Sequence, residues 1–235
     1  MISVCLATFN GESFIQQQVD SILVQLSSLD ELIVSDDGST DNTIKIINSI
    51  NDSRIKIYFN KEKGYVSNFE NSLFHAKGDI IFLSDQDDIW VENKIEICLE
   101  HLKKVDLVVS DCKIIDGSDK ILFDSFYELR KPKITCVGNL LKFGFLGCCL
   151  AFRATILKKA LPFPSNRKLC THDNWLFLIG ACLYSYKVLN NKLILYRRHD
   201  NNASPGVAPT NSTYFFKLEY RLYLIFNILK RYIRK

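Results

Sequence analysis

Residues 79–90 read DIIFLSDQDDIW. Residues 79–83 read as a strand, whose apolar run suits one buried on both faces, as found in parallel sheets. It ends in Ser84-Asp85-Gln86-Asp87-Asp88, which puts three carboxylates in four positions just after a strand. One Asp is enough to cap a following helix. Three exceed that need and repel one another, a cost that a divalent cation removes.

The same alternation of strand and helix runs upstream. Residues 2–7 form a short apolar run, read as a buried strand. Phe14, Ile15, Val19, Ile22, Leu23 and Leu26 then recur at helical spacing. Strands are read at 31–35 and 55–59 and helices at 43–50 and 65–76. Ile95, Leu99 and Leu102 mark a fourth helix. Asp36-Asp37-Gly38-Ser39-Thr40-Asp41 is rich in turn and cap residues, and taken alone it fits a turn and an N-cap. This β-α-β-α rhythm predicts an α/β protein, Rossmann-like, with a mostly parallel central sheet and helices on both faces.

The second half is less regular. Strands are read at 107–110, 150–152 and 187–196, a turn at 116–119, and a helix at 173–183. No element is assigned in 123–146. Residues 201–213, with Pro205, Gly206 and Pro209, read as a flexible loop.

The chain has 235 residues, 47% hydrophobic and 24% charged, which is the composition of a globular protein with a sizeable core. The net charge of +4 is concentrated at one end. From Lys217 onward there are six Lys/Arg and one Glu, so the body is close to neutral. A nucleic-acid binder would more often spread a basic stripe over the folded body, so no nucleic-acid partner is expected. The eight cysteines show no C-x-x-C pairing and read as free buried thiols of a cytosolic protein. Met1-Ile2-Ser3-Val4-Cys5 runs straight into a strand pattern, which reads as no secretory signal. The longest uncharged apolar stretch, 174–186, has 13 residues and falls short of the roughly 18 that span a bilayer.

Ligands of open α/β sheets sit outside the carboxyl ends of the strands. Asn10, Asp36, Asp37, Asp85, Asp87 and Asp88 all follow strand patterns, so one crevice is expected to gather them. Carboxylates of this kind suit Mg2+ or Mn2+, which commonly bridge protein oxygens to a diphosphate.

Six strings occur in order: ATFNGE (7–12), VSDDGSTDNT (34–43), FLSDQDDIW (82–90), GCCLAFR (147–153), HDNW (172–175) and YRRHDNN (196–202). Together they resemble the family 2 inverting glycosyltransferases with the GT-A fold, especially bacterial enzymes of surface-polysaccharide synthesis such as rhamnosyltransferase-like members. The resemblance covers about residues 2–202. It implies a GT-A domain over 1–200, with a nucleotide-binding half at about 1–110 and an acceptor-binding half at about 111–200, followed by a loop and tail helix over 201–235.

The resemblance also implies roles. Thr8 and Asn10 would line the nucleotide pocket, and Asp37 would accept the N3–H of uracil or thymine. Asp85 and Asp87 match the DxD pair, with Asp87 on the metal and Asp85 facing ribose or the metal's water shell. Asp88 would cap a helix beginning at Ile89-Trp90. Asp173 matches the general base, and His199 a further metal or diphosphate contact. The family carries one Arg and a variable residue before that histidine, whereas Arg197-Arg198 stand together here and either could reach phosphate. The implied cofactor is Mn2+ or Mg2+. The implied donor is a UDP- or dTDP-sugar, and the acceptor is a glycan or lipid-linked oligosaccharide.

Gly147 and Cys148 offer small side chains where a sugar can approach the backbone, with a tightly packed strand start as the alternative. His172 is expected to be a local hydrogen-bond partner beside a sugar pocket. Trp175 is expected to pack the interior or to line the acceptor site. His75 and His101 lie on helix patterns and are expected to face solvent.

In the tail, Phe215, Leu218, Leu222, Ile225, Phe226, Leu229 and Ile233 fall on one helical face, with Lys and Arg mostly elsewhere. This predicts a basic amphipathic helix on the inner face of the cytoplasmic membrane, or else a terminal helix docked on the body.

Two other functions compete. A nucleotidyltransferase on a similar sheet would bring a Gly-rich basic phosphate loop after the first strand, but Thr8-Phe9-Asn10-Gly11-Glu12 has one Gly and no Lys. A non-catalytic nucleotide-sugar-binding module would keep the donor pocket and not need Asp173.

Overall fold

Every residue of β1 (Ile2–Thr8) is buried, because the strand is paired on both edges and covered on both faces. β2 (Glu31–Asp36) runs parallel to it on one side and β4 (Ile80–Asp85) on the other. β3 (Ile55–Phe59) adds to β2, also in parallel. The computed structural model describes residues 1–199 and 213–233. The loop expected over 201–213 lies outside the described residues, except for Thr213.

The chain winds outward from β1 through β2 to β3. It then returns across β1 to β4, giving the order β3-β2-β1-β4. That reversal opens a crevice at the carboxyl ends of β1 and β4. The crossovers are α1 (Ile15–Leu23), α2 (Thr43–Ser49) and α3 (Tyr65–His75). α1 buries Ile15, Val19, Ile22 and Leu23, the face that its spacing predicts. Its Gln18 is buried too, and donates to Ser84 Oγ at 2.6 Å and Asp85 O at 3.0 Å, fixing the end of β4.

After β4 come β5 (Ile89–Trp90), α4 (Lys94–Leu102), β6 (Leu107–Ile115), β7 (Ile121–Phe123), α5 (Phe126–Arg130) and α6 (Cys136–Leu141). Then follow β8 (Leu150–Arg153), α7 (Leu157–Ala160), α8 (His172–Leu183), β9 (Tyr186–Arg197) and α9 (Tyr214–Ile233). β8 pairs antiparallel with both β4 and β6, and so splices the two halves into one sheet. β9 runs parallel to β6, while β5 and β7 add antiparallel edges. The strands β1–β4, β6 and β9 therefore share one direction, and the sheet is mostly parallel as expected.

Four expectations change. The pair Ile89-Trp90 starts no helix: it pairs antiparallel with Leu195 and Ile194, and α4 begins only at Lys94. The cysteines are not all free, since Cys136 and Cys182 form a disulfide joining α6 to α8. The other six are buried thiols. Segment 123–146 holds α5 and α6, each capped by a hydroxyl: Ser125 accepts Glu128 N–H and Thr135 accepts Gly138 N–H. His75 and His101 are half-buried, with His75 stacked on Tyr58 at 3.6 Å and His101 Nδ1 3.4 Å from Lys187 Nζ.

Candidate active site

Pairing register brings the strand ends together. Thr8 stands opposite Asp36, and Ala7 opposite Asp85. Thr8 is buried, and its Oγ1 donates to Gln86 Oε1 at 2.7 Å. Gln86 also accepts Phe9 N–H at 2.7 Å and donates to Phe9 O at 3.0 Å, so it laces the β1 loop to the β4 loop. The Gly11 backbone lies against the Gln86 amide, so that an added Cβ would collide with it.

The loop after β2 is built on Asp36. Its carboxylate accepts Gly38 N–H at 2.9 Å, Ser39 N–H at 2.8 Å and Ser39 Oγ–H at 2.5 Å. That turn presents Asp37, which is buried, with Oδ1 accepting Asn60 Nδ2–H at 2.8 Å and Oδ2 accepting Gly64 N–H at 2.9 Å. Two fixed donors set the orientation of the carboxylate and leave acceptor capacity for a third. Asn10 has a left-handed backbone, φ 48°, and its Oδ1 accepts Thr40 N–H at 2.9 Å. Its side chain thus ties the β1 and β2 loops together.

The β4 loop carries the charge. Asp87 is buried, and its Oδ2 lies 2.9 Å from His199 Nε2. Asp88 is fully buried. Its Oδ1 accepts Arg197 N–H at 3.0 Å, while its Oδ2 has no partner among the described residues. Asp88 is therefore an anchor for β9 and not a helix cap. Burial, then Asp87 and Asp85, push its carboxyl well above the usual range. Burial first, then Asp87 and Asp173, raise Asp85 to about 7. Asp85, Asp88 and Cys148 each offer a ligand atom within 4.8 Å of the others.

Arg197 is a structural hub. It is buried; its Nε donates to Asp87 O at 2.8 Å, its Nη2 to Gln17 Oε1 at 2.8 Å, and its Nη1 to Asp119 Oδ1. Its guanidinium carbon sits 4.6 Å from the Phe14 ring centre. Arg198 Nη1 reaches Tyr196 Oη at 3.4 Å.

Opposite these acids stands the start of α8. Thr171 holds the cap position, so Asp173 lies inside the first turn, where a carboxylate is favoured by the helix dipole. Its Oδ1 accepts the adjacent Asn174 N–H at 2.7 Å. His172 is buried, stacked on Phe69 at 3.9 Å and edge-on to Tyr65 at 5.9 Å. Contrary to expectation, it is nobody's hydrogen-bond partner: neither ring nitrogen has one among the described residues. Burial lowers its pKa and keeps the imidazole neutral.

Gly147 and Cys148 lie in a 3-10 turn before β8. A Cβ at Gly147 would come 2.5 Å from His172 Nε2 and 3.3 Å from Asp173 Cβ, so the absence of a side chain lets α8 approach. Cys148 is buried, and its carbonyl accepts the ammonium of the equally buried Lys94 at 2.9 Å. Trp175 does not line the site. It is wholly buried and donates Nε1–H to Ala160 O at 2.9 Å, because its helical position turns it into the core.

The structure thus gathers Thr8, Asp37, Asp85, Asp87, His199, Gly147, Cys148, His172 and Asp173 around one rim, and puts Trp175 elsewhere. Sequence reasoning missed Asn60 and Gly64, which belong to no quoted motif, and Gln86, which stands between Asp85 and Asp87 as the variable position of the DxD pair. A cleft of about 550 Å³ lined by Val24, Gln25, Glu92, Ile95 and Leu99 lies against α4 and has no such convergence of groups.

The profile described as "Glycosyl transferase family 2" matches residues 3–161. The chain is 29% identical over 181 residues to the Escherichia coli protein WfgD, named as a UDP-Glc:α-D-GlcNAc-diphosphoundecaprenol β-1,3-glucosyltransferase, with 76% of this chain and 68% of that protein covered. It is 28% identical over 223 residues to the Shigella flexneri dTDP-rhamnosyl transferase RfbG, covering 84% and 72%. Its fold matches the crystal structure of Staphylococcus aureus TarS 1–349 in complex with UDP-GlcNAc. The TM-score is 0.75 at 16% identity, over 97% of this chain and 66% of that one. The chain therefore spans about two thirds of the length of these proteins. The family profile covers most of the chain, including the strand ends that carry Asp37, Asp85 and Asp87, and the chain belongs to glycosyl transferase family 2.

Proposed function

We propose that this chain transfers a sugar from a UDP- or dTDP-sugar to a glycan hydroxyl, with inversion at the anomeric carbon. The observation that carries the reading is the position of Asp85. Its carboxyl is raised first by burial and then by both Asp87 and Asp173, so the donor-side acids and the candidate base share one field.

In this reading the half at about 1–110 binds the nucleotide. Thr8 and Asn10 shape the pocket, and Asp37, oriented by Asn60 and Gly64, accepts the base N3–H. The half at about 111–200 receives the acceptor, with Gly147, Cys148 and His172 beside it. Arg197 positions the Asp87 and His199 groups, and Arg198 is the arginine assigned to the diphosphate.

The donor set fits a divalent cation. A buried carboxylate crowd with raised pKa values is costly when ionised and uncompensated. Asp87 and His199 offer oxygen and imidazole ligands, with Asp85 close by, a set suited to Mn2+ or Mg2+. Bound there, such an ion offsets the charge on the leaving diphosphate. Asp173 takes the proton from the attacking hydroxyl, and a single displacement of this kind needs no covalent intermediate. The acceptor is a glycan, lipid-linked in a surface-polysaccharide pathway, with the protein peripheral on the cytoplasmic face of the membrane. Among the described residues no helix is long and apolar enough to cross a membrane.

A donor panel tests the assignment: UDP- and dTDP-sugars with Mn2+ or Mg2+, scored for binding, hydrolysis and the anomeric configuration of any product. Metal-dependent binding of one nucleotide class with an inverted product is expected. Binding of neither class sinks the reading.

A further inference from the structure

α9 has two apolar sides. One holds the body: Leu224 is fully buried, and Tyr220, Tyr223 and Ile228 pack with it against the core. Tyr223 Oη accepts Asn166 N–H at 3.0 Å, and the Arg231 carbonyl accepts Lys159 Nζ–H at 3.1 Å. At 3.6 residues per turn, Phe215, Leu218, Leu222, Phe226, Leu229 and Ile233 lie opposite that side. All six are exposed, by 42–81%. Docking on the body therefore leaves uncovered the stripe that the tail sequence shows.

A second element continues the stripe. Val137 and Leu141 of α6 stand one turn apart, 67% and 57% exposed, and Ile134 just before them is 60% exposed. α6 and α9 pack on each other and both pack on α8. The Cys136–Cys182 bond ties α6 to α8, and Arg221 Nη2 donates to Leu141 O at 2.7 Å. The sides of α6 and α9 turned away from α8 therefore adjoin.

Charge selects the partner. Residues 130–142 hold Arg130, Lys131, Lys133 and Lys142 and no acid, while α9 holds Lys217, Arg221 and Lys230 against the single Glu219, its Arg231 being turned to the body, where it donates to Pro162 O. Large apolar patches on a water-facing surface mark interaction sites. An apolar stripe with a basic margin matches acyl chains beneath anionic headgroups.

We propose that α6 and α9 together form one docking surface for an anionic lipid bilayer. This rests on the reading above, in which the acceptor is lipid-linked. The inner side of α9 meets the site: Tyr220 is half-buried against the core, and the Asp173 carboxylate adds to burial in raising its phenol. A lipid-held acceptor would thus meet the base beside the helix that rests on the lipid.

The test is co-sedimentation of the full chain with phosphatidylcholine vesicles, with and without phosphatidylglycerol. Binding is expected only with phosphatidylglycerol. Val137→Asp with Leu141→Asp, and separately Lys133→Glu with Lys142→Glu, should each weaken it about tenfold or more, as should Leu222→Asp with Phe226→Asp. The lysine pair is exposed, so its effect does not depend on a disturbed fold. Loss of binding in the α9 pair with neither α6 pair affected overturns the composite surface. So does a solution dimer that the α9 pair dissolves, since the stripe would then belong to a second copy. UDP or dTDP affinity of the same variants, measured without vesicles, separates the two ideas: vesicle docking without nucleotide binding would leave this surface standing and remove the transferase reading.

Discussion

Asp87 Oδ2 and His199 Nε2 stand 2.9 Å apart although 112 residues separate them in the chain. Arg197 makes that approach, with its own N–H on Asp88 and its Nε on the Asp87 carbonyl. A carboxylate facing an imidazole at this rim is an arrangement for sharing a cation.

If the pair holds a divalent ion, His199→Ala and Asp87→Asn should each weaken Mn2+ binding at least tenfold. Calorimetry with the nucleoside diphosphate present reads this directly. The melting temperature without metal should hardly move in His199→Ala. Unchanged metal affinity in both variants would take the ion away from this pair.

Asp173 lies in the first turn of α8 without serving as its cap. Asp173→Asn preserves shape and removes the proton acceptor. Transfer should fall by about two to four powers of ten while donor affinity stays within a factor of two or so. Turnover near the parent rate would remove Asp173 from the chemistry and leave the rim a binding site.

The Asp85 carboxyl sits at about 7 when folded, against an ordinary value of 3.8. Between those values the folded state holds a proton that the unfolded chain has released. Stability without metal therefore falls as pH rises through this window and levels off above it. The full shift corresponds to on the order of 4 kcal/mol, shared with its neighbours. Asp85→Asn should flatten the pH dependence of unfolding between pH 4 and 7, as read in urea melts. An unchanged slope would mean that another group carries the shift.

The strand ends were legible because β1, β2 and β4 are continuous apolar runs and their acids follow at once. Contacts made far along the chain were not. Ile89-Trp90 suits a helix start or a strand equally, and only β9, more than a hundred residues on, makes it a strand. Arg197 beside Arg198 looks like phosphate chemistry until Gln17 and Asp119 are seen to occupy it. Trp175 two residues after Asp173 suggests a sugar platform, but two positions along a helix turn a side chain by about 200°, here into the core. Spacing alone does not pair eight cysteines, so the link between α6 and α8 had no signal.

That link should matter for stability. Cys136 and Cys182 are 46 residues apart, and closing a loop of that length stabilises by about 4 kcal/mol in the chain-entropy account. Reduction, or Cys136→Ser with Cys182→Ser, should lower the melting temperature by several degrees without changing nucleotide affinity. Equal melting with and without reductant would show that the bond adds nothing to the folded chain.

Gly147 offers the sharpest separation of binding from chemistry. Its backbone lies where any side chain would strike His172 Nε2 at 2.5 Å and press on Asp173 Cβ at 3.3 Å. His172 cannot easily yield, since its ring is stacked on Phe69 and walled by Tyr65. Gly147→Ala should therefore displace the start of α8 rather than the ring alone. Misplacing a catalytic group by about 1 Å can cost a factor of about a hundred. The nucleotide side is built on Thr8, Asp37 and Gln86, which Gly147 does not touch. The expected result is transfer reduced about a hundredfold with donor affinity retained. Loss of donor affinity in step with transfer would place Gly147 on the nucleotide side of the rim, and the division of labour drawn between the two halves would fall with it.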